Sequence, residues 1–350
     1  MTSTSVIILN WNGAELLKQF LPAVTSHTNG KDCRVIVADN GSTDGSVAIL
    51  QTHFPEVELI LFEENLGFAE GYNKAIQQVD SEYVILLNSD VETTPGWIEP
   101  LVAYLDHHPE VAAVQPVIRS FHQRSRFEYA GAAGGLIDRY GYPFCRGRIL
   151  EVVEEDRGQY RNELPLFWAT GACLCIRRND FVKAGCLDNH FFAHMEEIDL
   201  CWRLNARGRS VVCVTSSVVY HVGGASLGKE NPRKLYLNFR NNLLMLYKNM
   251  PPKQFFGTFL VRLVLDLLAL LHLLLGGKVQ STVAVVHAYR DFLKLRPAYR
   301  NIRAENLRLT LIGDLPGVYR RSILIAYYLR NKRTYDALFP RKDDAIRSES

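Results

Sequence analysis

An α/β fold with a mostly parallel central sheet is what the sequence predicts, and three observations predict it. Four short apolar runs rich in β-forming residues (5–10, 34–38, 57–62 and 82–87) recur with helix-length segments between them. Each run empties into a loop dense in Asn, Asp, Ser and Gly. A helical pattern follows, so the order is βαβαβαβ with right-handed crossovers. Ligands of open α/β sheets bind outside the carboxyl ends of the strands, which makes these loops the place to look for chemistry.

The first strand, Ser5 to Asn10, turns through Asn10-Trp11-Asn12-Gly13 into an amphipathic helix from about Ala14 to His27. The second, Arg34 to Ala38, runs into the turn and capping residues Asp39 to Ser46, and a helix follows through about His53. The third, Val57 to Phe62, leads by the loop Asn65–Asn73 into another helix. The fourth ends at Asp90, and Thr93-Thr94-Pro95-Gly96 reads as a helix start with Pro95 in the first helical position. Asp90 and Glu92, with Asn88 and Ser89 beside them, make a hard-oxygen site suited to Mg²⁺ or Mn²⁺. The plain alternative is a turn that caps the helix. Asp39 is placed to accept a hydrogen bond from a ring N–H of uracil or thymine, or else to cap its turn.

Composition sets the outer bounds. The 350 residues are 47% hydrophobic and 22% charged, an ordinary globular balance. Charge is unevenly spread: residues 1–228 carry 18 Lys and Arg against 28 Asp and Glu, and residues 229–350 carry 22 against 9. A basic C-terminal part of this kind meets an anionic partner. The seven cysteines form no CxxC, so they read as small core residues in a reducing compartment and not as a zinc site. The first strand begins without a signal-peptide pattern before it. No G-x-G-x-x-G follows the first strand and no G-x-x-x-x-G-K-[ST] occurs, which removes dinucleotide and P-loop folds.

The segments Val6–Gly13, Asp39–Ser46, Asn65–Asn73 and Leu86–Glu92, in that order, resemble those of the family 2 inverting glycosyltransferases of the GT-A (nucleotide-diphospho-sugar transferase) fold. Within that family they are most similar to bacterial rhamnosyltransferase-like enzymes. The likeness continues through Trp168–Ala172, Phe191-Phe192, Glu196–Arg203 and His221. It implies a donor site built from Asn10, Asn12, Asp39, Ser42, Asp44, Gly67, Asn73, Asn88, Ser89 and Asp90, with Asp39 on the base. It also implies that Asp90 is the metal-binding acid of a DxD-type motif whose first acid is here Asn88. The diphosphate and water would then carry more of the coordination of Mg²⁺ or Mn²⁺. His221 gains a metal or diphosphate role by the same likeness; alone, it would read as a packed histidine. The catalytic base falls among Glu196 and Glu197, with Glu197 favoured, while Asp199 and Arg203, four apart on a helix, pair structurally. The donor implied is a dTDP- or UDP-linked sugar, with rhamnose the first guess. The implied acceptor is a surface glycan or a lipid-linked one.

After a helix near Gly96–His107 and a fifth strand from Val111 to Pro116, residues 119–163 read as a loop or small hairpin region on the acceptor side. Residues 166–177 are strand-like, and Gly171 allows close backbone approach to a sugar or forms a bulge. From Asn231 the character changes. Lys234–Lys248 reads as a helix, and Phe255–Gly277 is long enough to span a bilayer but carries Arg262 and Asp266 near its middle. A basic, apolar helical extension over 229–350, lying on the inner face of the cell membrane behind a catalytic domain over 1–228, explains both features. A packing or homo-oligomerisation module is the alternative. Nucleic acid suits the Leu-rich tail poorly. Two rival functions remain at this level. A nucleotidyltransferase would need a Gly-rich basic loop after the first strand, and a non-catalytic sugar-nucleotide-binding protein would not need acids at 90 and 197.

Overall fold

The computed structural model describes residues 4–28, 32–223 and 231–340, so the boundary expected at 228/229 lies outside the described residues. In chain order the N-terminal part runs β1 (Thr4–Asn10), α1 (Ala14–His27), β2 (Cys33–Asn40), α2 (Ser46–His53), β3 (Glu58–Phe62), α3 (Gly67–Gln77) and β4 (Tyr83–Asn88). The strands pair in the parallel order β3-β2-β1-β4. Side chains on β1 alternate between two cores. Val6 and Ile8 pack with Leu17 and Leu21 of α1, and Ile7 packs on the other face with Tyr72 and Ile76 of α3.

Two expectations fail at the ends of these elements. Helix α3 already begins at Gly67, because Asn65 and Asn40 supply its first bonds: Asn65 Oδ1 accepts from the Gly67 N–H at 2.9 Å and Asn40 Oδ1 from that of Leu66 at 3.0 Å. The fourth strand stops at Asn88, and the expected helix start at Thr93–Gly96 is instead the end of a short strand, β5 (Val91–Thr93). Pro95 and Gly96 form a turn, with Gly96 at φ +70°, and α4 (Glu99–His107) carries Pro100 in its first turn. Strand pairing overrides the local helix signal here.

The sheet is completed by β6 (Val111–Ser120). Four short strands follow: β7 (Gly135–Asp138), β8 (Pro143–Cys145), β9 (Arg148–Ile149) and β10 (Val152–Val153). They form a second small sheet out of the region expected to be a loop or hairpin. Next come β11 (Cys173–Arg177), α5 (Arg178–Lys183), α6 (Glu196–Ala206) and β12 (Ser210–His221). The large sheet has the order β3-β2-β1-β4-β11-β6-β12-β5, and only β11 and β5 run against the rest. Because β5 crosses to the far edge and pairs with β12, His221 lies opposite Val91, the residue after Asp90.

Beyond Asn231 the chain forms α7 (Pro232–Asn249), α8 (Pro252–Leu275), α9 (Val279–Leu295) and α10 (Arg300–Arg308). Strand β13 (Val318–Tyr319) then joins the small sheet beside β7. Leu243, Leu244, Met245 and Leu246 of α7, with Phe255 and Phe292, belong to the same buried cluster as Ile7 and Tyr72. Each such side chain contributes about 1.5–3 kcal/mol by burial. Helix α8 is long and apolar enough to cross a bilayer, yet its two central charges face inward. Arg262 and Asp266 pair with each other, and Asp266 also accepts from Tyr142 Oη (2.8 Å) and Tyr289 Oη (2.7 Å). The opposite face exposes Leu260, Leu263, Val264, Leu267, Leu268 and Leu271.

Candidate functional site

The loops after β1 and β2 are stitched together by short polar side chains. Asn10 donates to Asp39 Oδ2 (2.9 Å) and Ser42 Oγ (3.2 Å), while the Ser42 N–H donates to Asp39 Oδ1 (2.9 Å). Ser42 Oγ also accepts from the Asn12 N–H at 2.9 Å, and Asn12 Oδ1 accepts from the Thr43 N–H at 2.8 Å. Asp39 is therefore buried and oriented, with lone pairs left over on both oxygens. Gly13 keeps a recess open: a methyl there would come within 2.4 Å of Asn10 Oδ1 and 3.8 Å of Ser89 Oγ.

Other predicted donor residues are committed to the scaffold. Asp44 accepts from the Ala14 N–H (3.0 Å) and the Ser46 N–H (3.0 Å), so it ties the first turns of α1 and α2. Burial works against its charge, but the bonds from Ser46 and Ala14 outweigh that and hold its carboxyl below the ordinary range. Asn73 is buried, bonding through its amide to Leu187 O (2.8 Å), Asn189 Oδ1 (2.6 Å) and the Leu187 N–H (2.9 Å). Gly67 sits at φ +79° beneath the Phe192 ring, where a methyl would approach to 2.5 Å. Gly171 packs against Phe68 in the same way, with a methyl 3.1 Å from that ring.

At the end of β4 the two expected acids part company. Glu92 pairs with Arg124 at 2.8 Å, whereas Asp90 Oδ1 lies 3.1 Å from His221 Nε2. Asp90 Oδ2 also accepts from the Gly223 N–H at 3.3 Å, and Asn88 Nδ2 is 3.4 Å from His221 Nε2. On the far side of the ring, Glu128 Oε2 lies 3.4 Å from His221 Nδ1. Burial disfavours a charged imidazole, but Asp90 and Glu128 outweigh it and carry His221 up to about 10. Asp90, for its part, is raised by burial yet ends below the ordinary carboxylate range because of His221.

This donor set fits a divalent cation once the imidazolium gives up its Nε2 proton, as metal binding to histidine requires. Asp90 Oδ1 and His221 Nε2, 3.1 Å apart, are the oxygen and nitrogen that would hold it. Glu128 sits where a carboxylate orients a metal-binding imidazole from behind. Among the described residues no cluster of three His, Cys, Asp or Glu side chains closes around an ion by itself. A diphosphate would have to complete the shell.

Glu196 and Glu197 open α6, preceded by Met195 at φ 74°. Asp199, expected to pair with Arg203, does so at 3.0 Å, and also takes Lys248 Nζ (3.0 Å) and Asn249 Nδ2 (2.8 Å). Asp199 is thus fully neutralised. Burial, then the charge of Glu197, pushes Glu196 well above the ordinary value. Burial also raises Glu197, but backbone N–H groups, including those of Ile198 and Gly171, work against it. The two carboxyls titrate as a pair: burial raises both, and the charge of Glu197 adds to the rise of Glu196. Gly171–Ala172 links this pair to the cation site, since the Ala172 carbonyl accepts the Asn88 N–H at 3.0 Å.

Glu196 has a thermodynamic signature. Its folded pKa exceeds its unfolded one, so its contribution to stability is full below the ordinary carboxylate value and lost as pH rises through the raised one. Glu196→Gln is expected to raise Tm at about pH 8 and leave it unchanged at about pH 4. Scanning calorimetry at the two pH values checks this, and equal shifts at both would disprove it.

Nine buried side-chain polar atoms among the described residues lack a hydrogen-bond partner, and Asn10 Oδ1, Glu196 Oε2 and Glu197 Oε2 are among them. Orphaned groups gathered at one place point to a ligand. Sequence reading missed Glu128, which lies in the unassigned 119–163 stretch and carries no local signal. It also missed Lys248 and Asn249, which reach the site from the extension.

The description "glycosyl transferase family 2" matches residues 5–181. An N-acetylglucosaminyl-diphospho-decaprenol L-rhamnosyltransferase of Mycobacterium tuberculosis is 28% identical over 256 residues, covering 69% of this chain and 83% of that one. A low-salt glycan biosynthesis hexosyltransferase of Haloferax volcanii is 22% identical over 253 residues, covering 69% and 74%. Among solved structures, S. aureus TarS in complex with UDP superposes with a TM-score of 0.55 at 14% identity, covering 88% of each chain. GalNAc-T7 with UDP, GalNAc and Mn²⁺ gives 0.57 at 15% identity, covering 72% of this chain and 49% of that one.

Proposed function

The chain belongs to glycosyl transferase family 2, and on that premise we propose that it is a metal-dependent enzyme transferring rhamnose from a dTDP- or UDP-linked donor to a lipid-linked glycan. The observation that carries the reading is the short backbone bridge Gly171–Ala172 between Glu197 and the Asp90–His221 pair. Transfer with inversion needs those two things close together. The rhamnose and the lipid carrier are supported by the mycobacterial relative's activity.

In this reading Asp39, Asn10 and Ser42 hold the nucleotide, and Asp90 and His221 hold the cation, with Asn88 and Ser89 beside the diphosphate. A divalent cation bound there supplies charge neutralisation to the departing diphosphate. Glu197 takes the proton of the acceptor hydroxyl as its oxygen bonds to the anomeric carbon, and the bond to the nucleotide diphosphate breaks with its electron pair. Purified protein given dTDP-rhamnose, UDP-sugars and GDP-sugars in turn, with Mn²⁺ or with EDTA, tests the reading. Release of nucleotide diphosphate from one donor, abolished by EDTA, is expected; release from none would refute it.

The reading assigns chemistry to 1–228 and attachment to the cytoplasmic face of the membrane to 229–350. The outward Leu and Val face of α8 and the basic excess of 229–350 both favour an anionic lipid surface. The full chain is expected to co-sediment with anionic liposomes and to be released in part by high salt. Val264→Glu with Leu268→Glu should prevent sedimentation without unfolding the chain, because both side chains are more than half exposed. Truncation at 228 would be a poorer test, since it removes Leu243–Leu246 from the shared core. A wild-type chain that stays in the supernatant at low salt would count against attachment.

A further inference from the structure

The turn that delivers Glu196 and Glu197 is made of residues that resist its shape. Phe192, His194 and Met195 all adopt positive φ (63°, 71° and 74°), and none is glycine. Such backbone persists only where its surroundings hold it. Three carbonyls of this turn, those of Phe191, Ala193 and His194, lie 2.9, 2.9 and 2.8 Å from one side-chain amide nitrogen, Asn241 Nδ2, and share its two N–H groups. The amide's orientation is fixed from behind, because Asn241 Oδ1 accepts from Arg240 Nε at 2.9 Å. Arg240 Nη2 adds a bond to His190 O at 2.7 Å. Asn241 is fully buried on α7, and its neighbour Asn242 is anchored in turn: its amide donates to Gly141 O at 2.7 Å and its oxygen accepts from Arg262 of α8 at 2.5 Å.

We propose that Asn241 is a positioning residue for the transfer reaction: it clamps the strained turn 191–195 and so sets where Glu197 stands at the start of α6. The proposal rests on Glu197 being the base. None of these bonds reaches a predicted donor residue, and the turn meets the donor loop through Phe192, over Gly67 and the start of α3, rather than through the clamped carbonyls, so loss of Asn241 acts first on the base. A base moved by a fraction of an ångström from its proton loses turnover, not donor affinity.

The test compares Asn241→Ala with Asn205→Ala. Asn205 is another buried asparagine whose amide holds two backbone carbonyls, Leu166 O (3.1 Å) and Phe167 O (3.0 Å), away from this turn. Both variants should lower Tm. Asn241→Ala is expected to lower kcat by about tenfold or more, with donor KM and nucleotide-diphosphate affinity within about twofold of wild type. Asn205→Ala should keep kcat within about twofold. Asn241→Ser, which retains a donor, serves if the alanine variant does not fold, and should fall between. Wild-type kcat in the Asn241 variants, or an equal loss in Asn205→Ala, overturns the clamp while leaving the base assignment standing. Transfer that survives Glu197→Gln overturns the base assignment and the clamp with it.

Discussion

Glu197→Gln is expected to lower kcat by about 10²-fold or more, the usual scale for losing a general base, with donor KM little changed. The amide keeps the size and removes the basicity. The effect should exceed that of Glu196→Gln, since the Ile198 and Gly171 N–H groups favour the charge of Glu197 while the neighbouring charge works against that of Glu196. Asp199 cannot substitute, because Arg203, Lys248 and Asn249 occupy it. The pH profile follows from the same environment. Glu197 acts only when ionised and burial raises its pKa, so activity should fall with decreasing pH through a midpoint above the ordinary glutamate value. Residual turnover in Glu197→Gln should lack that acidic limb. A larger loss in Glu196→Gln, in the same assay, would reverse the assignment.

Asp90→Asn is expected to reduce transfer by about 10²–10³-fold, since charge stabilisation by a metal is worth several kcal/mol and each 1.36 kcal/mol is tenfold in rate. Asparagine keeps an acceptor for the Gly223 N–H but removes the charge that faces His221. Donor binding should lose its dependence on Mn²⁺ or Mg²⁺, and EDTA should do nothing more to the variant. EDTA on the wild-type chain should reproduce the loss. Undiminished wild-type transfer in excess EDTA would end the metal assignment, and circular dichroism of Asp90→Asn checks that the fold survives.

Much of this was legible in the sequence because it is local. The alternation in β1, the apolar face of α1 and the turn residues 39–46 each depend on neighbours within a few positions, and the elements they predict are present. Asp39, Asn10 and Ser42 were readable for the same reason: each ends or follows a strand, and strand ends in this fold converge on one edge.

Where pairing is remote, local signals misled. Thr93-Thr94-Pro95-Gly96 carries the chemistry of a helix start, but backbone bonds from β12 make it the end of a strand. Asn73 has the look of a ligand-binding side chain in a polar loop, yet the 187–189 segment, more than a hundred residues away, occupies its amide. Glu92 seemed equivalent to Asp90 until Arg124 separated them.

Spacing along the chain is enough for the order of strands, helices and polar loops, and with them the acids at 90, 196 and 197. Folding alone settles which acid is pushed up by its neighbour's charge, which histidine face meets Glu128, and that Asn241 holds the turn before Glu196 and Glu197. Secondary structure follows from spacing along the chain, whereas protonation and orientation follow from burial and from partners brought together by folding.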